Sequence, residues 1–321
     1  MFDKENMLFL VVYIITFIFG LPANIFALYA FVKKVQQKAT PVDVLLIGLT
    51  VSDLLFLVFL PIRMKEAIDH MEWNMPYFLC PLTGIIFYGT IYNSSLYLTA
   101  ISVERYFGVA FPIKYKLNRK PLHAVVGSVV IWTISLAQCS IVFIMHYSDD
   151  KHNSSHVHCY EDFCDDQLKV LLPFRLQQFV LLFCVPLLIC CFCYINFIRI
   201  LYQLPNINPR RRYRAIGLAF GTMVVFLVCF GPYNISHLIG HITNESPKWR
   251  NYAVLTSTLN TCLDPFIYYF SSSALRGTFT QILNRFSSKL QCPSCSVYQR
   301  NTAQTLELEE RTQSTNDNLD M

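Results

Sequence analysis

Long apolar runs separated by short polar segments dominate the chain between residues 8 and 271. A helix needs about 20 predominantly apolar residues to cross a bilayer. Seven runs reach or approach that length, and the seventh is the most polar of them. The pattern predicts an all-α membrane protein, a bundle of seven transmembrane helices. The predicted spans are residues 8–32, 42–67, 77–110, 123–146, 170–202, 211–242 and 250–271.

The chain changes character after the seventh run. Residues 273–286 have the pattern of a short amphipathic helix on the cytoplasmic side, and we assign residues 1–286 to one seven-transmembrane receptor domain. Residues 287–321 are polar, rich in Ser and Thr, and end acidic. Such a segment has too few apolar residues to bury, so we expect a disordered cytoplasmic tail.

Composition and charge support a membrane protein with a defined orientation. Hydrophobic residues make up 54% of the chain and charged residues 15%, against about 25% charged residues in soluble domains. Loops on one side are basic, and basic loops face the cytoplasm. We therefore expect an extracellular N terminus, a cytoplasmic C terminus and no nucleic-acid partner. The basic loop residues are Lys33, Lys34, Lys38, Lys114, Lys116, Arg119, Lys120, Arg210, Arg211, Arg212 and Arg214.

Ionisable groups inside spans are energetically expensive and indicate function. Asp53 and Asp264 lie in the middle of the second and seventh spans, and Asn24 and Ser94 lie at similar depth. Together these groups predict a polar cluster that holds a sodium ion; a hydrogen-bond network without an ion is the alternative. No other metal site and no cofactor is expected.

The third span ends in Glu104-Arg105-Tyr106. An arginine held by its neighbouring acid and released to a cytosolic partner would act as a switch. The triplet alone is typical of any polar surface, and its place at the end of a third span makes it informative.

Seven marks in order resemble those of rhodopsin-like G-protein-coupled receptors. This resemblance implies a receptor, not an enzyme, with a G-protein switch formed by Glu104, Arg105, Tyr106, Asp264, Pro265 and Tyr268. The chain departs from the common pattern with Glu104 for Asp, Phe230 for Trp and Asp264 for Asn. The marks are Asn24, Leu49–Asp53, Glu104-Arg105-Tyr106, Trp132, Pro186, Phe230-Gly231-Pro232 and Asp264-Pro265-Phe266-Ile267-Tyr268.

Longer segments resemble the free fatty acid receptor family, in particular its short-chain (type 2) members. Examples are Gly20-Leu21-Pro22-Ala23-Asn24, Leu172-Pro173-Phe174-Arg175 and Cys229-Phe230-Gly231-Pro232-Tyr233-Asn234. The resemblance implies a plasma-membrane receptor that senses acetate, propionate and butyrate. It also implies coupling to inhibitory and phospholipase-linked heterotrimeric G proteins, and arrestin recruitment through the tail.

Polar residues near the outer ends of spans suggest where a carboxylate binds. Arg175 and Arg250 lie roughly 16 and 22 Å outside Pro186 and Pro265, at about 1.5 Å per residue. Guanidinium groups bind both oxygens of a carboxylate through paired, charge-assisted hydrogen bonds. With the family resemblance, the predicted ligand set is Arg175, Arg250, His237, Tyr88, Tyr92, Tyr233, Gln138 and Glu161.

Three members of this set have a structural alternative. Arg250 could anchor the membrane surface beside Trp249, Arg175 could pair with Glu161 or Asp166, and His237 could serve helix packing. Gln138 stands where the fatty acid receptors carry a histidine, and glutamine cannot become cationic.

Further expectations concern covalent features and rival functions. Cys80, Cys159 and Cys164 lie on the oxidising side, where disulfides persist; we expect the pair Cys80–Cys159, with Cys164 unassigned. Asn153 and Asn244 begin glycosylation sequons in outer loops. The rival ligands are hydroxycarboxylates, medium-chain fatty acids and nucleotides, and a carboxylate transporter is the rival from another class.

Overall fold

The computed structural model describes residues 4–147, 159, 163–204, 209–272, 275–281 and 284. Its helices pack as the predicted all-α bundle, and two π-helical segments, Phe179–Cys184 and Val225–Phe230, interrupt the fifth and sixth spans. The helices are α1 (Lys4–Lys38), α2 (Pro41–Ile68), α3 (Leu79–Ala110), α4 (Pro112–Asn118), α5 (Pro121–Cys139), α6 (Ile141–Tyr147), α7 (Asp165–Gln178), α8 (Val185–Gln203), α9 (Pro209–Val224), α10 (Gly231–Thr243), α11 (Arg250–Thr258) and α12 (Asn260–Ser271).

The third span is more polar than most of the others, and the seventh is divided at Leu259 into two shorter helices. By length and hydropathy alone, five stretches of described helix qualify as membrane spans, and they belong to the first, second, fourth, fifth and sixth spans. The third span, α3, packs against α2, α5 and α8. Its residues Asn93, Ser94 and Ser95 are buried in protein. Polar groups are tolerated there because protein, not lipid, surrounds them.

Prolines in the spans free backbone carbonyls that side chains then satisfy. A proline lacks an N–H, so the carbonyl four residues earlier loses its helical donor. The Leu182 carbonyl, four residues before Pro186, accepts from the Ser95 hydroxyl at 2.9 Å. The Thr261 carbonyl, four residues before Pro265, accepts from Asn24 Nδ2 at 3.0 Å. These bonds tie the third span to the fifth and the first span to the seventh.

A disulfide marks one end of the bundle. Cys80 and Cys159 are bonded, as predicted, and their Cα atoms lie 5.7 Å apart. Cys80 opens α3, so the bond fastens this helix to the segment between the fourth and fifth spans. We call this the disulfide end, and we call the opposite end of α3 the Arg105 end. Cys164 is a free, exposed thiol just before α7.

The residues Arg276–Met321 form a unit separate from Met1–Leu275. Residues 276–281 and 284 of this unit are helical. The rest of the predicted amphipathic helix, apart from Leu275, and the whole predicted tail, residues 287–321, lie outside the described residues.

Candidate functional site

Arg175 is a buried cation near the disulfide end of the fifth span. It lies in α7 with 3% of its surface exposed. Its Nη1 donates to the Ser246 hydroxyl at 3.2 Å, and its guanidinium carbon lies 5.2 Å from the centre of the Phe163 ring. Asp166, one of the proposed structural partners, instead forms an exposed 2.8 Å ion pair with Lys169. The other, Glu161, lies outside the described residues.

Arg250 opens α11 and is also buried, with 3% exposure. Its neighbours Lys248 and Trp249 are exposed. The surface-anchor interpretation therefore suits those two neighbours better than Arg250 itself. Arg250 contributes to the wall of a cavity of about 550 Å³. This wall also includes Phe163 and Ser246, which both contact Arg175.

An aromatic cluster lies with His237 on the third and sixth spans. Tyr88 stacks on Tyr233 with centroids 5.8 Å apart, and Tyr233 meets the His237 ring edge-on at 4.5 Å. The Tyr92 hydroxyl lies 3.2 Å from His237 Nε2. His237 is fully buried, and the charges of both Arg175 and Arg250 act on it. The structure thus brings together six of the eight predicted ligand residues, including both third-span tyrosines.

Two glutamines extend this cluster to the fourth and fifth spans. Gln178 is buried, accepts from the Tyr92 hydroxyl at 3.3 Å and donates to the Gln138 backbone carbonyl at 3.0 Å. The Gln138 side chain itself makes no hydrogen bond through Oε1 to any described residue. The sequence prediction included Gln138 but missed Gln178, although a glutamine inside a predicted span is a usable signal.

A buried ion pair at the disulfide end of the second span was also missed. Arg63 and Glu66 lie one helical turn apart, with Nη1 and Oε2 2.7 Å apart, and both are buried. The Arg63 guanidinium lies 5.1 Å from the centre of the Phe87 ring. Opposite charges three residues apart within a span would have revealed the pair.

The mid-bundle acids Asp53 and Asp264 interact inside the bundle. Asp53 interacts with Asp264 and accepts from the Tyr268 hydroxyl at 2.7 Å, while Asp264 accepts from Asn260 Nδ2 at 2.9 Å. Ser94 is buried, and Asn24 donates a hydrogen bond to the Thr261 carbonyl. Two adjacent carboxyl groups need a shared proton or a cation.

The donor set at these acids is compatible with a hard cation. Ser52 Oγ, Asn260 Oδ1 and Asp264 Oδ1 are buried and make no hydrogen bond to described residues. Hard cations prefer such oxygens. The described residues contain no group of three or more His, Cys, Asp or Glu side chains that could together hold a metal ion. The sodium ion stays a prediction.

The prediction that Glu104 holds Arg105 is wrong. Glu104 forms an ion pair with Arg119 and accepts from the Tyr115 hydroxyl at 2.9 Å. Arg105 instead donates to the carbonyl and, at 2.7 Å, to the hydroxyl of Ser271 at the end of α12. Neighbours along a helix do not face each other, and this directs the two side chains apart. Tyr106 packs edge-on against Phe192.

Tyr115 and Arg119, the partners of Glu104, lie in α4 and directly after it. Burial and the neighbouring Glu104 carboxylate raise the pKa of the Tyr115 phenol. The hydrogen bond to Glu104 raises the pKa of the Arg119 guanidinium. Both groups therefore keep their protons and donate to Glu104, which fixes α4 against the end of α3.

The comparisons with known proteins agree with this geometry. The model of the seven-transmembrane receptor (rhodopsin) family matches residues 6–268. The bundle, the disulfide and the polar residues thus define a rhodopsin-family receptor, a multi-pass protein of the plasma membrane and not an enzyme.

Comparison with individual proteins identifies the subfamily of receptors to which the chain belongs. Mouse (Mus musculus) free fatty acid receptor 3 is 47% identical over 280 residues, which is 87% of each chain. Human (Homo sapiens) free fatty acid receptor 2 is 45% identical over 295 residues, 90% of this chain and 89% of the relative. The chain belongs to the free fatty acid receptor family. These similar identities do not choose between types 2 and 3.

Proposed function

We propose that this receptor senses short-chain fatty acids at the cell surface and activates heterotrimeric G proteins. The observation that carries the proposal is a pair of buried guanidinium groups, Arg175 and Arg250, whose charges both act on the buried imidazole of His237. Guanidinium groups in a low-dielectric pocket bind carboxylates strongly. The receptors named free fatty acid receptors 2 and 3 are the relatives that share the scaffold.

The size of the ligand limits its affinity. Small ligands gain at most about 1.5 kcal/mol per heavy atom. Acetate, with about four heavy atoms, then gains about 6 kcal/mol, which corresponds to a dissociation constant of tens of micromolar or weaker. The proposal is therefore a sensor for an abundant metabolite.

The orientation and the partners form the second part of the proposal. The disulfide end faces outward, with the N terminus extracellular and the C terminus cytoplasmic, because the loops at the Arg105 end are basic. Asn244 is exposed at the end of α10 and can carry a glycan, whereas Asn153 lies outside the described residues. The family resemblance supports inhibitory and phospholipase-linked G proteins, and arrestin as a partner of the tail.

Activation is a population shift toward the arrangement that binds the ligand more tightly. An anion between Arg175 and Arg250 draws the fifth and seventh spans together. The sixth span carries His237 and, roughly one and a half to two turns further in, the segment Phe230-Gly231-Pro232 at the end of a π-helical stretch. Wide π-helical turns and prolines are places where helices bend, so this segment is the pivot.

The test is a G-protein activation assay in cells, with acetate, propionate, butyrate and a long-chain acid. We compare the unmodified receptor with Arg250→Ala and with Lys169→Ala, which removes an exposed cation that does not line the cavity. Responses to the short acids that disappear only in Arg250→Ala, at equal surface expression, support the proposal. Silence of the well-expressed receptor toward all acids overturns it, and acid uptake by purified receptor in vesicles would favour the transporter.

A further inference from the structure

A second cavity lies at the Arg105 end, at the opposite end of the third span from the disulfide. Its volume is about 430 Å³, within the range of about 300–1,000 Å³ that small-molecule sites have. The proposed response to a carboxylate makes no use of this cavity. Its lining comes from the end of α3, from α4 and from the residue that follows α4: Phe107, Phe111, Lys114, Tyr115, Asn118 and Arg119.

The accessible wall of this cavity is almost entirely apolar. The rings of Phe107 and Phe111 have centroids 6.0 Å apart, and the two residues are 43% and 47% exposed, so a ligand can reach them. Tyr115 adds the apolar part of its ring, because its hydroxyl already donates to the buried Glu104 carboxylate at 2.9 Å. Contiguous exposed apolar surface of this kind marks a place where a protein meets a partner or a membrane.

Two cations, Lys114 and Arg119, complete the lining. Lys114 is exposed and forms no ion pair with any described residue. Arg119 pairs with Glu104 through Nη2, yet 38% of its side chain is exposed. A guanidinium has five N–H donors, so Arg119 can hold Glu104 and still donate to a second anion. No Asp or Glu is among the described residues that line the cavity, and the cavity therefore suits an anion with an apolar part.

The cavity lies where the fourth span begins. Arg119 is two residues before Pro121, which opens α5, and the helical stretch Pro121–Met145 is long and apolar enough to cross a membrane. Leu122, Val125 and Val129 of α5 are all exposed and recur at helical spacing, so this face of α5 meets lipid. The two cations are therefore at the height of the lipid headgroups, where basic residues bind anionic lipids.

We propose that this cavity binds an anionic phospholipid, with an acyl chain against the three aromatic rings and the headgroup phosphate between Lys114 and Arg119. A phosphate monoester suits the two cations best, because it carries about −1.5 to −2 charges and binds arginine through paired hydrogen bonds. A free phosphate would leave the apolar wall in water, and a peptide backbone would find few hydrogen-bond partners there. The proposed orientation decides which leaflet supplies the lipid, but the site itself does not depend on it.

Native mass spectrometry of the purified full-length receptor tests the lipid chemistry. We titrate phosphatidic acid, phosphatidylcholine with the same acyl chains, and glycerol 3-phosphate, which has the phosphate without the chains. Phosphatidic acid should bind roughly tenfold or more tightly than phosphatidylcholine, because each cation near an anionic headgroup is worth about fivefold. Glycerol 3-phosphate should not be retained. Equal binding of the two lipids, or retention of glycerol 3-phosphate as strong as that of phosphatidic acid, overturns the proposal.

A pair of lysines on α4 separates this site from general attraction to a basic surface. Lys114→Gln should weaken the binding of phosphatidic acid roughly fivefold and leave that of phosphatidylcholine unchanged. Lys116→Gln is the matched control, since Lys116 is exposed on the same helix but does not line the cavity. It should bind both lipids as the unmodified receptor does. Equal losses in the two variants would show only a diffuse charge effect and contradict a defined site.

Photochemical labelling locates the lipid. Phosphatidic acid with a diazirine in its acyl chain, incorporated into nanodiscs with the receptor, should label the peptide that contains Phe107 and Phe111, and Lys114→Gln should reduce this label roughly fivefold. Label confined to other peptides overturns the site. So does a Lys114→Gln variant that loses G-protein activation but keeps its lipid, because the cavity would then serve a cytosolic protein. Neither lipid measurement uses a short acid, so the site and the proposed ligand class can fail separately.

Discussion

The arginine–histidine site at the disulfide end and the Glu104 site at the Arg105 end treat buried charge differently. At the disulfide end, the groups that the structure shows beside Arg175, Arg250 and His237 include a serine hydroxyl, phenols and amides. At the Arg105 end, Glu104 is matched within the chain by Arg119 and Tyr115. The first arrangement suits an anion that arrives from outside. In the second arrangement the Glu104 charge is neutralised by residues of the same chain. These contacts must rearrange before a cytosolic partner can bind there.

The largest expected effect is on the potency of the ligand. Arg175→Ala should raise the half-maximal concentration of short acids roughly ten- to hundredfold, because it removes charge-assisted hydrogen bonds worth about 1.5–3 kcal/mol. Concentration–response curves at matched surface expression measure it. Lys169→Ala, on the same helix but exposed, should leave the curves unchanged. A normal curve for Arg175→Ala would place the anion elsewhere.

The next largest effect is a loss of thermal stability caused by a change at the Arg105 end. Arg119→Ala leaves the buried Glu104 carboxylate without its cation, and breaking a fully buried pair costs about 3–5 kcal/mol. Because 38% of the Arg119 side chain is exposed, water reduces the cost, and we expect about 1–2 kcal/mol. The melting temperature of the purified receptor measures it, and Arg119→Lys should recover part of it. An unchanged melting temperature would show that the ion pair contributes nothing.

The sequence predicted the scaffold better than the contacts between spans. Hydropathy, the positive loops and the cysteines were enough for the all-α bundle and the Cys80–Cys159 disulfide, since these follow from composition and position along the chain. The partner of Glu104 was not predictable in this way. It depends on the path of α4, which brings Arg119 back to the third span fifteen residues later.

The ligand site shows the same division. Arg175, Arg250 and His237 could be singled out from the sequence, because each is a polar residue a countable number of turns from a proline. The role of Gln178 could not, since it depends on hydrogen bonds to the third and fourth spans. The π-helical segment that follows Gln178 also has no clear signature in the pattern of apolar residues.

A smaller effect tests the contact between Arg105 and the seventh span. Ser271→Ala removes the 2.7 Å bond from Arg105 to the hydroxyl but keeps the bond to the carbonyl. We expect a loss of about 1 kcal/mol, and hence up to about a fivefold rise in ligand-independent G-protein activation as Arg105 is released more often. Ser271→Thr keeps a hydroxyl and should behave normally. Lower basal activity in Ser271→Ala would mean that the contact supports the active arrangement instead.

The smallest effect asks whether Tyr115 and Arg119 act as one unit on Glu104. Tyr115→Phe keeps the ring and removes only the 2.9 Å hydrogen bond to Glu104, so we expect a loss of about 0.5–1 kcal/mol in thermal stability. The potency of short acids should stay within about threefold. If the two groups share the carboxylate, the double variant with Arg119→Ala will lose more or less than the sum of the single losses. Strict additivity would show independent contacts, and a large change in acid potency would show that the two ends of the bundle are coupled through α3.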